Sequence, residues 1–410
     1  MQISRIKLKR LDYYLLFGTL AVVSLSLMLL FSVRSQGLGD VPYLFNRQLL
    51  YAVIGLFLMA GAALMSPRVH FGLAYVIYAI CCAILLGVIG WGSLAKGAVR
   101  WIDVGLFTFQ PSEPAKIGLI LALARLLTDK KMDLNQPAHV LRAIILTGFP
   151  LMLVMAQPDL GTSIIFGSVF LFMIVAAGIP LGYLLILVSP LLAALTSFHA
   201  LAFLLFMILM VWLAWRMKLY LGILIFLILG NLAISAATPY FWGHLKPYQQ
   251  MRLVSFMNPE ADPKGSGYQV IQSKVAVGSG GLIGKGLGQG SQTQLKFLPE
   301  QHTDFIFSML GEELGLAGAT AALLLYGLIL VRGFRVAILA GGKYTALVCT
   351  GLCAMLLMHI FINIGMALGM MPVTGLPLPF LSYGGSFLWT SMIAVGIILG
   401  AHLRRGDYTP

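Results

Sequence analysis

An aspartate followed by proline is held away from helical geometry, because the pyrrolidine ring crowds the residue before it. Asp262-Pro263 stands in the stretch NPEADPKGSGYQ, residues 258–269, with Glu260 two positions earlier and Gly265 and Gly267 just after. A carboxylate fixed in a rigid turn can serve as a general base when the proton it removes lies within hydrogen-bond reach. Its unperturbed pKa of about 3.9 makes that proximity essential. Asp262 is therefore a candidate base and Glu260 its rival, while an ordinary Asp-Pro-Lys-Gly turn is the plainer reading. Around them, Lys246, Arg252, Lys264, Lys274, Lys285 and Lys296 face only Glu260, Asp262, Glu300 and Asp304. Positioned cations hold phosphate and stabilise a leaving group that departs with negative charge. Attraction to anionic lipid headgroups is the competing explanation.

A second group starts at Gln110-Pro111-Ser112-Glu113-Pro114-Ala115-Lys116. Ser112 and Pro114 read as a helix start, with Glu113 favourable against the positive helix end. Glu113 and Lys116, three apart, can pair on one face, either as a structural salt bridge or in contact with substrate. Asp159, in the turn Gln157-Pro158-Asp159, divides in the same way. Arg100 and Trp101 fit a headgroup anchor or a substrate clamp. His359 and Asn363 share a helical face and read as interhelical hydrogen bonding and packing; His302 has no assigned role. GSGGLIGKGLGQG, residues 278–290, fails as a phosphate-binding P-loop, since Ser279 stands at the first glycine position and Gly286 replaces the magnesium-holding Ser or Thr. A flexible, close-approach backbone is the better reading. Cys81 with Cys82, and Cys349 with Cys353, read as packing residues, and no metal-ligand set emerges.

The elements that position these groups belong to lipid. Of 410 residues, 59% are hydrophobic and 10% charged, where a soluble domain carries roughly a quarter charged residues. The fold class expected is an all-α polytopic membrane protein. Apolar runs at Tyr13–Val33, Gln48–Met65, Phe71–Gly90, Pro114–Leu127, Val140–Ala156 and Gly161–Gly178 read as helices. Leu181–Ser197, Ala200–Trp215, Leu219–Thr238, Phe305–Val331, Thr345–Gly369 and Ser386–Leu403 follow. The first run is too long for a signal-peptide core and is expected to be retained.

The net charge of +13 does not indicate nucleic acid, because many basic residues sit in short loops between apolar runs and mark a cytoplasmic side. With both termini cytoplasmic, parity puts residues 242–304 outside. Leu181–Ser197 and Ala200–Trp215 could instead form a re-entrant hairpin, which leaves parity intact, so 10–12 transmembrane helices are expected. Residues 1–410 form one unit with a large extracytoplasmic loop, and the chemically unusual residues crowd the outer face.

Taken together, these motifs resemble the shape, elongation, division and sporulation (SEDS) family. The resemblance rests on residues 261–315, on QPSEPAK at 110–116, on QPDLGTS at 157–163 and on PVTGLPLPFLSYGGS at 372–386. It covers nearly the whole chain, and GSQTQLKFLPEQHTDFIF favours the elongation branch over the division branch. It implies a peptidoglycan glycosyltransferase of the bacterial cytoplasmic (inner) membrane that polymerises lipid II on the outer face during cell-wall elongation. By position, Asp262 matches the family's essential loop aspartate, and Glu113 and Lys116 its charged helix pair. Arg100, Asp159, Lys274 and Lys285 are further candidates for substrate contact or support. Implied partners are a class B penicillin-binding protein and other elongation-complex proteins. A divalent cation, magnesium or manganese, is associated with the activity, with no ligands assigned. A lipid II flippase and a non-catalytic scaffold for the penicillin-binding protein are the alternatives. Two departures stand out: the family usually has ten helices, and Phe387 follows SYGGS where a small residue is usual.

Overall fold

The computed structural model describes residues 10–35, 41–91, 93–95, 98–103, 105, 107–245, 247–261, 265–294, 298 and 300–405. The chain runs through α1 (Tyr13–Ser35), α2 (Val41–Leu64), α3 (Pro67–Trp91), a small sheet, then α4 (Ser112–Thr128), α5 (Pro137–Ala156) and α6 (Leu160–Ala176). Next come α7 (Leu181–Thr196), α8 (Ala200–Arg216), α9 (Leu221–His244), α10 (Pro247–Met257), a short 3₁₀ turn (Pro259–Ala261), α11 (Ser266–Ser279) and α12 (Ser291–Gln294). The last three are α13 (Ile306–Ile338), α14 (Lys343–Ala367) and α15 (Gly385–Leu403).

Among the described residues, eight helices (α1, α2, α3, α5, α9, α13, α14 and α15) are long and apolar enough to cross a membrane, and α6, α7 and α8 are shorter apolar ones. A 17-residue helix such as α4 or α6 is about 26 Å long at 1.5 Å per residue, a little short of a hydrocarbon core of about 30 Å. The helices turn large apolar side chains outward, Phe57 and Trp215 each 75% exposed and Leu324 70%. Such a surface is matched to lipid, not water. This is a multi-pass membrane protein.

Two features depart from the sequence expectations. Residues 93–109 hold a three-stranded antiparallel sheet, β1 (Ser93–Ala95), β2 (Ala98–Asp103) and β3 (Thr108–Phe109), in that order. Strands this short carry too few residues for alternation to register. The polar stretch 242–304 is not one loop: α9 runs to His244, and α10, α11 and α12 lie within the stretch. Residues 181–216 form two successive helices, α7 and α8, matching the two apolar runs read there.

The core has a main body and a satellite. The main cluster spans α1–α6 and α13–α15, and within it α2 and α15 approach very closely. A Cβ on Gly396 would lie 2.4 Å from the Met59 carbonyl oxygen, a packing that only small residues permit. The satellite cluster, Ala193, Phe206, Met210, Ala214 and Leu227, belongs to α7, α8 and α9 alone. At the end of the bundle away from the 245–304 segment, Arg332 donates from Nη2 to Asp12 Oδ2 at 2.8 Å, tying α13 to α1.

α13 is broken at Gly315 (φ 66°, ψ −163°). A break exposes backbone groups that must find partners inside the bundle, and the glycine-rich stretch supplies them. Lys285 and Gly286 donate their N–H groups to the carbonyls of Glu312 and Glu313, each at 3.0 Å. Leu316 and Ala317 donate to Gly281 and Leu282 at 2.9 and 3.0 Å. This backbone-on-backbone docking explains the glycines: a Cβ on Gly284 would sit 2.1 Å from the Glu313 carbonyl oxygen, and one on Gly315 2.2 Å from Gly284 N.

Candidate active site

The face that carries the 245–304 segment gathers most of the charged candidates. α4 opens there, but Ser112 does not cap it. The cap position is Pro111, without a side-chain hydrogen bond, and the hydroxyl of Ser112 is buried without a partner. The first-turn N–H groups are met instead by backbone: Glu113 donates to Gln110 O at 3.1 Å and Ala115 to Pro111 O at 3.3 Å.

One turn further, Glu113 and Lys116 pair at 2.8 Å (Nζ–Oε2), with side chains only 2% and 1% exposed. Buried ions in an apolar bundle survive only when compensated. Lys116 has a second partner, His359 Nε2 at 2.9 Å, and its ammonium lies 5.6 Å from the centre of the Phe387 ring. That ring also leans on His359, with centroids 4.8 Å apart. Phe387 thus closes one side of the pair.

Asp159 caps α6, accepting from Thr162 N at 3.1 Å and from Thr162 Oγ1 at 3.0 Å. Arg100, on β2, stands 3.9 Å from it and spends its guanidinium on the turn before α6, donating to Gln157 O at 2.9 Å and to Pro158 O. Gln110 joins the two groups of charge. Its backbone carbonyl receives the Glu113 N–H, and its side-chain amide reaches Asp159 at 3.4 Å. Arg100, Asp159, Glu113 and Lys116 are therefore links of one polar chain, which ends on His359.

Below this chain runs the segment 371–384, an extended stretch buried among helices. Backbone at such depth must have its carbonyls satisfied by neighbours. Here they are met one at a time. Asn363 Nδ2 donates to Leu376 O at 2.7 Å, Tyr326 OH to Pro379 O at 2.6 Å and Ser26 Oγ to Leu381 O at 2.6 Å. His359 Nδ1 faces Pro377 O at 3.3 Å. Pro372, Pro377 and Pro379 bring no N–H of their own. Phe380, buried at φ 63°, sits in a backbone region that costs about 1–3 kcal/mol, and the bonds on either side of it hold it there.

The remaining candidates lie apart. Lys285 pairs with Glu312 at 2.8 Å and with Ser291 Oγ at 2.8 Å, fastening the glycine-rich stretch to α13. Lys274 lies across the turn at Gly369, where an added Cβ would meet its Cε at 2.1 Å. Asp262 lies outside the described residues, between the 3₁₀ turn ending at Ala261 and the start of α11 at Ser266. α11 is firmly placed: Ser273 Oγ donates to Ala367 O at 2.5 Å and meets Ser308 Oγ at 2.6 Å. Ala367 ends α14, the helix that carries His359 eight residues earlier, or about 12 Å down the axis.

Sequence reasoning placed the Glu113–Lys116 pair but not its partners His359, Phe387 and Gln110. The available signal was that Lys116 and His359 are both ionisable residues within apolar helices, where each needs a partner; which one each finds is a matter of tertiary packing. Among the described residues no group of three or more His, Cys, Asp or Glu side chains gathers. They present no ligand set for a divalent cation.

Comparison with known proteins gives a consistent picture. The sequence profile of the FtsW/RodA/SpoVE family, described as cell cycle proteins, matches residues 8–406. The peptidoglycan glycosyltransferase MrdB of Escherichia coli (strain K12) is 38% identical over 398 residues, covering 96% of this chain and 94% of the relative. The peptidoglycan glycosyltransferase RodA of Treponema pallidum (strain Nichols) is 34% identical over 434 residues, covering 96% and 98%. Among solved structures, a chain of a peptidoglycan synthase complex that coordinates polymerization and crosslinking superposes with a TM-score of 0.72. It is 32% identical, with 97% of this chain and 99% of that chain covered. The rod shape determining protein RodA of Thermus thermophilus gives 0.64 at 28% identity, with 96% and 97% covered.

Proposed function

Because the chain belongs to the FtsW/RodA/SpoVE family (the SEDS proteins) and is a peptidoglycan glycosyltransferase, we propose that it polymerises lipid II by a single inverting displacement with Asp262 as general base. The acceptor hydroxyl loses its proton to Asp262 as its oxygen attacks the donor's anomeric carbon. The bond from that carbon to the pyrophosphate oxygen breaks, and undecaprenyl pyrophosphate leaves with the electron pair. An α-linked donor then gives a β-linked product without a covalent enzyme intermediate.

The observation that carries this reading is the buried Glu113–Lys116–His359 group, set beneath the helix ends to which α11 is fastened. A desolvated, doubly held ammonium is suited to stabilising charge that develops on a departing phosphate. Topology follows from the same reading: both termini are cytoplasmic, and residues 242–304 lie outside the bacterial inner membrane, where lipid-linked donors are consumed. The partner is a class B penicillin-binding protein that crosslinks the new strands, in keeping with the synthase complex whose chain this one resembles. The resemblance to RodA supports a role in cell-wall elongation, alongside other elongation-complex proteins.

Purified wild type and Asp262→Asn, each with the penicillin-binding protein and labelled lipid II, test the proposal. Loss of a positioned base typically costs about 10²–10⁴-fold in rate, so polymer is expected from the wild type alone, with both proteins equally folded. Normal polymerisation by Asp262→Asn would remove the aspartate from the mechanism.

A further inference from the structure

His359 stands at the meeting of two structures with separate tasks, the buried charge pair on α4 and the threaded segment 371–384. Its two ring nitrogens have different neighbours. Nδ1 is 3.3 Å from the carbonyl of Pro377, which can only accept, so Nδ1 carries the proton. Nε2 is 2.9 Å from the Lys116 ammonium, which can only donate, so Nε2 offers its lone pair. The two contacts together require one form of the ring, the neutral Nδ1–H tautomer. No other protonation state satisfies both neighbours.

This has a consequence for Lys116. An ammonium has three N–H groups. The Glu113 carboxylate lies 2.8 Å from the nitrogen as an ion pair and His359 Nε2 lies 2.9 Å from it, while the Phe387 ring covers a further flank at 5.6 Å from its centre. With Glu113 alone, the side chain could swing about a single salt bridge within its own helix. The imidazole adds a second bearing from α14, and two bearings fix the direction of the remaining N–H. The imidazole is in turn oriented by Pro377, so the aim of Lys116 depends on where the 371–384 segment lies.

We propose that His359 is a positioning residue for the transferase reaction, a neutral acceptor that aims the Lys116 ammonium and couples it to the Pro377 segment. This rests on the reading that Lys116 acts on the developing charge of the leaving group. The bland reading is that His359 only pins the segment, as Asn363 does at Leu376.

Side-chain shape separates the two readings. In His359→Gln the amide oxygen falls near the Nε2 position and can accept from Lys116, while the contact with Pro377 is lost. In His359→Asn the amide nitrogen falls near Nδ1 and can donate to Pro377, while the contact with Lys116 is lost. His359→Leu removes both. Each full-length variant is assayed with the penicillin-binding protein for kcat and KM on labelled lipid II, with thermal unfolding in detergent alongside. His359→Leu and His359→Asn are expected to lower kcat by about tenfold or more, the scale of a lost hydrogen bond to a charged group, with KM moving less than kcat. His359→Gln is expected to recover most of that loss. In a Lys116→Met background, His359→Leu should reduce kcat no further.

Recovery by Asn but not by Gln, or wild-type kcat in all three, would overturn the positioning role. Should His359→Leu fail to fold, the Gln and Asn variants decide the matter between them. Lys116→Met alone checks the underlying reading. If it keeps wild-type kcat, Lys116 has no part in the reaction. If it loses kcat while the His359 series follows Asn, Lys116 serves the reaction and His359 only pins the 371–384 segment.

Discussion

The main bundle and the three-helix satellite α7–α9 are built from equally apolar sequence and do opposite things with it. In the main bundle, helices α4, α14 and α15 surround an ion pair, an imidazole and an aromatic ring in mutual contact. The satellite closes on Ala193, Phe206, Met210, Ala214 and Leu227, and its described polar link between helices is one amide–hydroxyl contact, Asn231 Nδ2 to Ser189 Oγ at 3.2 Å. A bundle in lipid gains no hydrophobic drive from apolar contacts between helices, so packing and hydrogen bonds must specify it. The charged contacts among α4, α14 and α15 form the candidate site, while the satellite is specified chiefly by shape.

The largest effect should follow from breaking the charge pair. Lys116→Met leaves Glu113 buried without its cation, a loss on the order of 3–5 kcal/mol in comparable buried pairs. Polymerisation should fall by about 10²-fold or more. The double variant Glu113→Gln/Lys116→Met should regain stability over Lys116→Met without regaining activity, because it removes the orphaned charge but not the need for an ammonium. Thermal unfolding in detergent together with turnover on lipid II checks both halves. Full activity in the double variant would reduce the pair to architecture.

Next in size comes the glycine-rich clamp, which is structural but belongs to the main bundle. Gly284 has φ +82°, and its added Cβ would stand 2.1 Å from a backbone oxygen. Gly284→Val should therefore dislodge the stretch from α13 and destabilise the protein by about 3 kcal/mol or more. Accelerated hydrogen exchange at Leu316 and Ala317, whose N–H groups the stretch receives, would localise the damage. Unchanged exchange there would show that the clamp does not hold the break in α13.

The satellite should respond more quietly. Phe206→Ala opens its small core, at about 1–3 kcal/mol, below the 3–5 of a fully enclosed site because lipid can enter beside a peripheral helix. Polymerisation by the folded fraction should stay within about twofold of the wild type. A large drop in kcat at unchanged stability would mean that α7–α9 takes part in the reaction, and the contrast between the two regions would fail.

How much of this was legible beforehand differs between the regions for the same physical reason. Hydropathy marks any residue that shuns water, so the apolar helices were visible, the satellite included, whereas the polar α10, α11 and α12 within 242–304 were not. The Glu113–Lys116 pair was visible because helical spacing alone brings the two residues together. His359 is 243 positions from Lys116, and nothing local links them. The glycines of 278–290 could be read as a close approach, but the partner, a broken helix at Gly315, became apparent only from the fold. The sheet at 93–109 stayed hidden because its strands of three, six and two residues are too short for a periodic signal.

The smallest expected effect is also the finest probe of the comparison. Asn231 donates to Ser189 Oγ at 3.2 Å and to the Leu227 carbonyl at 2.8 Å, while its own amide oxygen is buried without a partner. Ser189 precedes Pro190, which has no N–H for the Ile186 carbonyl, and its hydroxyl reaches that carbonyl at 3.4 Å. An interhelical hydrogen bond in a membrane averages about 0.6 kcal/mol. Asn231→Leu gives up one such bond, but it also removes an amide oxygen whose burial is uncompensated. These terms oppose each other at similar size, so the shift in stability should stay within about 0.5 kcal/mol, with polymerisation unchanged. The opposite result, a loss of several kcal/mol on the scale of the Lys116 pair, would mean that the satellite too is specified by its polar contact. The distinction between a region held by charge and a region held by shape would then have to be redrawn around Asn231.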